Sequence, residues 1–169
     1  MTKRLLIDAR QTEETRVITS TNDKIDDFEL HTDVGKFNLK ENIGKNLVLF
    51  FFPKADTTGC TKEAISFSEL IKEFDNLNTT VIGISRDKLE KQIKFKSKYE
   101  LKCILGSDVD NKICSKFGVW IEKSMYGKKY MGIQRSTFLI NSQGKVYYIW
   151  DKVKVPGHAE EVLKKVKEL

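Results

Sequence analysis

Leu47-Val48-Leu49-Phe50-Phe51-Phe52-Pro53-Lys54-Ala55-Asp56-Thr57-Thr58-Gly59-Cys60-Thr61-Lys62-Glu63-Ala64 is the stretch that decides how this chain folds. The unbroken apolar run Leu47 to Phe52 has the pattern of a strand buried on both faces, as strands under helices in a parallel sheet are. Pro53 stiffens the exit from that strand, and Thr57, Thr58 and Gly59 are polar turn residues. Beyond them Ala64, Phe67, Leu70, Ile71 and Phe74 recur every three or four positions, which marks one face of a helix. Strand, short loop and helix start therefore follow one another. Cys60 falls in the first helical turn and on that same face, turned toward the sheet and partly covered.

A free cysteine is by default a small buried hydrophobe. Packing alone does not explain a polar turn that delivers a thiol to a helix N-terminus. The partial positive charge and unpaired N–H groups there favour thiolate over thiol. Cys60 is thus a candidate nucleophile at neutral pH.

The alternation continues outward from this unit. Val81 to Ser85 is a second buried-type strand, followed by a helix from Lys88 to Tyr99 with Leu89, Ile93 and Tyr99 inward. Cys103 to Leu105 reads as a short strand and Asp108 to Phe117 as a helix. Ser136 to Asn141 and Lys145 to Trp150 form a hairpin through Ser142-Gln143-Gly144, and a helix from His158 closes the chain with Ala159, Val162, Leu163, Val166 and Leu169 inward. Upstream, Phe28 to Leu39 reads as a hairpin turning at Asp33 to Lys36, with short strands expected at residues 4 to 8 and 15 to 20. Together these elements describe an α/β, thioredoxin-like sandwich: a central mixed sheet flanked by helices on both faces.

With 169 residues, 40% of them hydrophobic and 32% charged, the chain has the size and composition of one globular domain that needs no disulfide or metal to support its core. No apolar run is long enough to span a membrane, and the N-terminus lacks the apolar core of a signal peptide, so a soluble, cytoplasmic protein is expected. Three widely spaced cysteines, Cys60, Cys103 and Cys114, suit a reducing compartment. With only His31 and His158 beside them, there is no zinc-site spacing, and neither cofactor nor metal is expected. The net charge of +6 comes from scattered lysines with no long basic run, which fits a solvated surface better than a nucleic-acid partner.

The spacing Pro53-x-x-x-Thr57-x-x-Cys60 resembles the active-site signature of peroxiredoxins, and Phe52-Pro53-Lys54 with Gly59 to Ala64 resembles their bacterioferritin comigratory protein branch. Phe117 to Trp120, Met125 to Ile133, Arg135 to Ile140 and Gly157 to Val162 extend the likeness over about residues 24 to 169. The resemblance implies a thiol-dependent peroxidase that reduces hydrogen peroxide and organic hydroperoxides. Cys60 would be the peroxidatic cysteine, attacking one peroxide oxygen and becoming sulfenic acid. Thr57 would donate to the thiolate and accept from the peroxide, Pro53 would shape and shield the pocket, and N–H groups around Gly59 and Cys60 would donate further. Arg135 would supply a planar, permanently charged fork; beyond Arg16 the chain uses arginine only at 86 and 135. The expected partners are a hydroperoxide and thioredoxin or another thiol, and the expected state is a monomer or weak homodimer. Trp120 is assigned to packing, and His31 and His158 to the surface or a helix cap.

Two departures qualify the likeness. Many relatives carry a resolving cysteine five positions after the peroxidatic one, where this chain has Ile65. Either Cys103 or Cys114 resolves the intermediate after rearrangement, or two subunits couple through Cys60, or an external thiol does the work, the last being the preferred reading. Residues 1–23 form an N-terminal extension whose opening residues resemble the start of ribonuclease E and G family proteins, ahead of a domain at 24–169. Competing readings are a redox sensor of the same fold without rapid turnover, favoured by Ile65, and an RNA-associated protein, whose affinity would fall steeply with salt.

Overall fold

The computed structural model describes residues 20–169. The strands expected before Ser20, and nearly all of the N-terminal extension, lie outside the described residues. The elements run β1 (Glu29–Thr32), β2 (Gly35–Asn38), α1 (Leu39–Asn42), β3 (Asn46–Phe51), α2 (Thr58–Glu69), α3 (Ile71–Asn76), β4 (Thr79–Ser85), α4 (Leu89–Tyr99), β5 (Ile104–Ser107), α5 (Lys112–Lys116), β6 (Trp120–Met125), β7 (Lys128–Ile133), β8 (Ser136–Ile140), β9 (Val146–Trp150) and α6 (His158–Val166).

β3 lies in the interior of a seven-stranded mixed sheet of order β2-β1-β5-β4-β3-β8-β9. It runs parallel to β4 and antiparallel to β8. Because side chains alternate across a strand, Leu47, Leu49 and Phe51 enter one core and Val48, Phe50 and Phe52 the other. Each apolar side chain so buried contributes on the order of 1.5–3 kcal/mol, which makes this strand the spine of the fold. The second core contains Cys60, Ala64 and Phe67 of α2, Phe74 of α3, Phe95 of α4 and Val162 of α6. The first is covered by α5 and by Phe28 and Leu30 from the N-terminal hairpin.

The layered α/β architecture and both expected hairpins are present, but several local expectations need correction. The helix after Cys60 is two helices, because Leu70 N–H bonds to the Phe67 carbonyl three residues back and its own carbonyl then accepts from Phe74. In α4 Tyr99 packs on the second core as expected, but the fully buried residues are Gln92 and Phe95, and Ile93 is 47% exposed. A buried amide sets that face: Gln92 Nε2 donates to the Gly106 carbonyl at 2.7 Å and to Ser85 Oγ at 3.1 Å, tying α4 to β4 and β5. An apolar-only wheel misses such a residue. The expected helix 108–117 shortens to α5, with the Asp108 carboxylate accepting from the N–H groups of Ile113 and Cys114. The β6–β7 hairpin is an addition to the elements expected from the sequence; its residues are mostly exposed, so no buried alternation announces it.

His158 is also a correction, being buried where a surface or cap residue was expected. Its Nε2 lies 2.7 Å from Thr137 Oγ1, and its ring meets Phe67 and Trp150 edge-on. Burial first, and the positive charge of Arg135 second, lower its pKa to about 4 from 6.5. Between those values the unfolded chain binds a proton that the folded chain refuses. The stability this group contributes is therefore present above pH ~6.5 and lost as pH falls toward 4. Urea midpoints measured at pH 7 and pH 5 are expected to drop on acidification, and to drop less in His158→Asn.

Candidate active site

Phe52 leaves β3 with its N–H on the Ile84 carbonyl, and the next residues make a loop fastened at two points. Asp87, just past β4, accepts from Ala55 N–H at 2.7 Å and from Ser85 Oγ at 2.7 Å. Asp56, at a positive φ of 64°, bonds the Tyr99 hydroxyl and the Lys98 ammonium at the end of α4. The Tyr99 hydrogen bond, and then Lys98, hold the Asp56 carboxyl below its ordinary range. So braced, the loop starts α2 with Cys60 in its first turn.

Cys60 is 1% exposed, against the sheet side of α2 as its helical position requires. Arg135, in the short link between β7 and β8, reaches it from the facing edge: Nη2 donates to Sγ at 3.2 Å. The other arm of the same guanidinium donates to Glu63 Oε1 at 2.7 Å. Gly59 leaves room for this approach, since a Cβ there would stand 3.2 Å from Arg135 Nη2, a tight contact. Burial acts to lower the Arg135 pKa, but Glu63 and Cys60 outweigh it and the net direction is upward. A fixed positive fork therefore stands against the sulfur, at the positive end of a helix. Both stabilise negative charge that forms beside them.

Glu63 was not among the residues singled out in the sequence. It lies three positions after Cys60, hence on the same helical face, and that spacing was the available signal. It is 1% exposed, and its Oε2 has no hydrogen-bond partner. Burial pushes its carboxyl up to about 7, against the lowering pull of Arg135. Its sign is opposite to that of His158: the contribution to stability is present below pH ~4.5 and lost as pH rises through 7.

The remaining candidates are arranged differently. Pro53 and Thr57 are both exposed at the mouth of the loop. The Thr57 hydroxyl donates to the Lys54 carbonyl at 2.8 Å, closing a local turn, and is not hydrogen-bonded to Cys60. Trp120 packs on the first core, with the Arg86 guanidinium 4.5 Å above its ring. Cys114 belongs to that first core, on the opposite side of the sheet from Cys60. Cys103 shares Cys60's side, beneath α2, with Ser68 Oγ at 3.5 Å from its sulfur and the Ala64 carbonyl at 3.9 Å. Burial pushes the Cys103 thiol up to about 11 and raises the Cys114 thiol as well. All three cysteines are free. Among the described residues no cluster of three His, Cys, Asp or Glu side chains is suited to a metal, and no helix is long and apolar enough to cross a membrane.

Residues 21–149 match the model of the AhpC/TSA family. Peroxiredoxin Bcp of Bacillus subtilis is 43% identical over 147 residues, covering 86% of this chain and 94% of that protein. A putative peroxiredoxin bcp of Coxiella burnetii is 44% identical over 137 residues, or 80% and 91% of the two chains. Among solved structures, the bacterioferritin comigratory protein of Xanthomonas campestris, studied for alkyl peroxide reduction, superposes with a TM-score of 0.80 at 40% identity over 83% of this chain and 90% of that one. A cysteine-to-serine variant of PrxQ from Xylella fastidiosa gives 0.84 at 37% identity, over 88% and 96%.

Proposed function

This chain belongs to the AhpC/TSA family as a peroxiredoxin, a thiol-dependent peroxidase consuming a hydroperoxide and a thiol reductant, and from that premise we propose that Cys60 is its peroxidatic residue. The observation that carries this assignment is the 3.2 Å hydrogen bond from Arg135 to Cys60 Sγ at the start of α2. The Cys60 thiolate attacks the terminal oxygen of the peroxide. A sulfur–oxygen bond forms, the oxygen–oxygen bond breaks, and the electron pair leaves on the distal oxygen as hydroxide or alkoxide, which takes a proton from water. Arg135 stabilises charge at both ends of that displacement, with Glu63 holding its second arm. Pro53 and Thr57 line the entrance; on binding, the Thr57 hydroxyl exchanges its bond to Lys54 for the peroxide. A redox sensor needs a reactive thiol but not this clamp.

The sulfenic acid is reduced by an external thiol, thioredoxin or another. Ile65 occupies the position where an intrahelical partner would stand, Cys114 is across the sheet, and Cys103 is sealed beneath α2 with a poorly ionised thiol. The reducing cytoplasm suits three free cysteines, and the domain at 24–169 acts as a monomer or weak homodimer. Intact mass after one equivalent of hydrogen peroxide tests the resolution step. The expected product gains one oxygen atom, and a Cys103→Ser/Cys114→Ser double variant turns over with a thioredoxin system. Loss of two hydrogens, together with a stalled double variant, assigns resolution to a distant cysteine instead.

A further inference from the structure

The β6–β7 hairpin carries a cation toward Cys60 that the reaction above leaves unused. Paired residues in an antiparallel ribbon share a face, so Ile121, Lys123 and Met125 stand on one side with Gly132, Tyr130 and Lys128. The other side sends Trp120 and Ile133 into the first core. Lys123 is paired with Tyr130, yet its stem does not stand upright over that residue. A Cβ on Gly132 would lie 3.3 Å from Lys123 Cδ and 3.6 Å from Cε, so the side chain leans two positions along β7 toward Arg135. The absence of a side chain at 132 leaves it that path.

Arg135, which repels the ammonium, and Cys60, which attracts it, are both within electrostatic reach; burial first and then Arg135 hold Lys123 below the ordinary lysine range. Among the described residues no carboxylate pairs with Lys123. Arg135 in turn is paired with Glu63 of α2, and its charge is felt by the buried His158 of α6. A partly buried cation with no carboxylate partner among the described residues is costly unless negative charge forms near it.

We propose that Lys123 is a second cation of the peroxide pocket, stabilising through space the Cys60 thiolate and the negative charge passing to the leaving oxygen. This rests on Cys60 being the residue that attacks peroxide. The ammonium keeps its proton throughout, and bond making and breaking are unchanged.

The test measures the single-turnover rate constant for oxidation by hydrogen peroxide, and the pH profile of Cys60 alkylation by iodoacetamide, in wild type, Lys123→Met, Lys123→Arg and Tyr126→Ser. Lys123→Met is expected to slow oxidation roughly tenfold and move the alkylation midpoint upward, the size of effect one pKa unit represents. Lys123→Arg stays within about threefold of wild type, since it keeps the charge. Tyr126→Ser, at the fully exposed hairpin tip, changes nothing. A Lys123→Met protein with wild-type rate and midpoint overturns the inference while leaving the Cys60 assignment intact. Equal slowing in Lys123→Arg with an unmoved midpoint also overturns it, assigning the stem to packing on Gly132. A wild-type protein whose Cys60 is not oxidised removes the underlying assignment itself.

Discussion

Cys60→Ser is expected to consume no hydroperoxide above the uncatalysed background. The hydroxyl that replaces the thiol is not ionised at neutral pH even beside a guanidinium and a helix N-terminus, and oxygen is a far poorer nucleophile toward peroxide than thiolate sulfur. Neither other cysteine can take over, because burial raises the pKa of Cys103 and Cys114 and the Arg135 guanidinium is bonded to Cys60 instead. The measurement is peroxide consumption with a thioredoxin system, paired with a thermal melt. Serine is close in size to cysteine, so the melt is expected to stay near that of wild type. An active Cys60→Ser protein would place the chemistry elsewhere and sink the mechanism.

Arg135→Ala is expected to slow single-turnover oxidation by a factor of roughly 100 or more, the loss typical of removing a preorganised donor from a developing charge. Two effects combine. The sulfur loses its 3.2 Å donor, and Glu63 loses the 2.7 Å ion pair that holds its carboxylate in a buried place. An unpaired buried carboxylate is costly, so Glu63 in the variant takes up a proton more readily and its pKa rises above the wild-type value of about 7. The stability penalty therefore grows as pH rises and is smallest in acid. Denaturant midpoints of wild type and variant at pH 5 and pH 8 separate this from catalysis. A gap that widens toward pH 8 is the expected result, and a gap independent of pH excludes the Glu63 contribution. Arg135→Lys recovers only part of the rate, since one ammonium cannot donate along both arms of the fork.

Much of this was legible in the chain because burial wrote it there. The run Leu47 to Phe52 is apolar without interruption since both of its faces meet a core, and that pattern located β3 and the helix after it. Cys60 followed from the loop between them. Where a polar residue holds a buried position, apolar periodicity was silent: Gln92, Asp108 and His158 each make internal hydrogen bonds that a hydropathy pattern does not register. Where a strand is mostly solvated, as in β6 and β7, no alternation exists to be seen, and so Lys123 stayed hidden. Arg135 was visible only as an arginine in a lysine-rich chain. Its pairing with Glu63 depends on two segments far apart in sequence meeting at the first turn of α2.

The sealing of Cys60 also sets a clock. At 1% exposure the sulfur cannot meet the surface of a reducing protein unless the first turn of α2 opens. Asp56 and Asp87 fasten the residues just before that turn. In the proposed cycle, while the sulfenic acid waits, a second peroxide competes to carry the sulfur on to sulfinic acid, which an ordinary thiol does not reverse. At low peroxide the reductant wins nearly every cycle; as peroxide rises, a growing share of molecules is retired. How long this enzyme survives an oxidative burst is thus governed less by how fast it reacts than by how often one helical turn lets go.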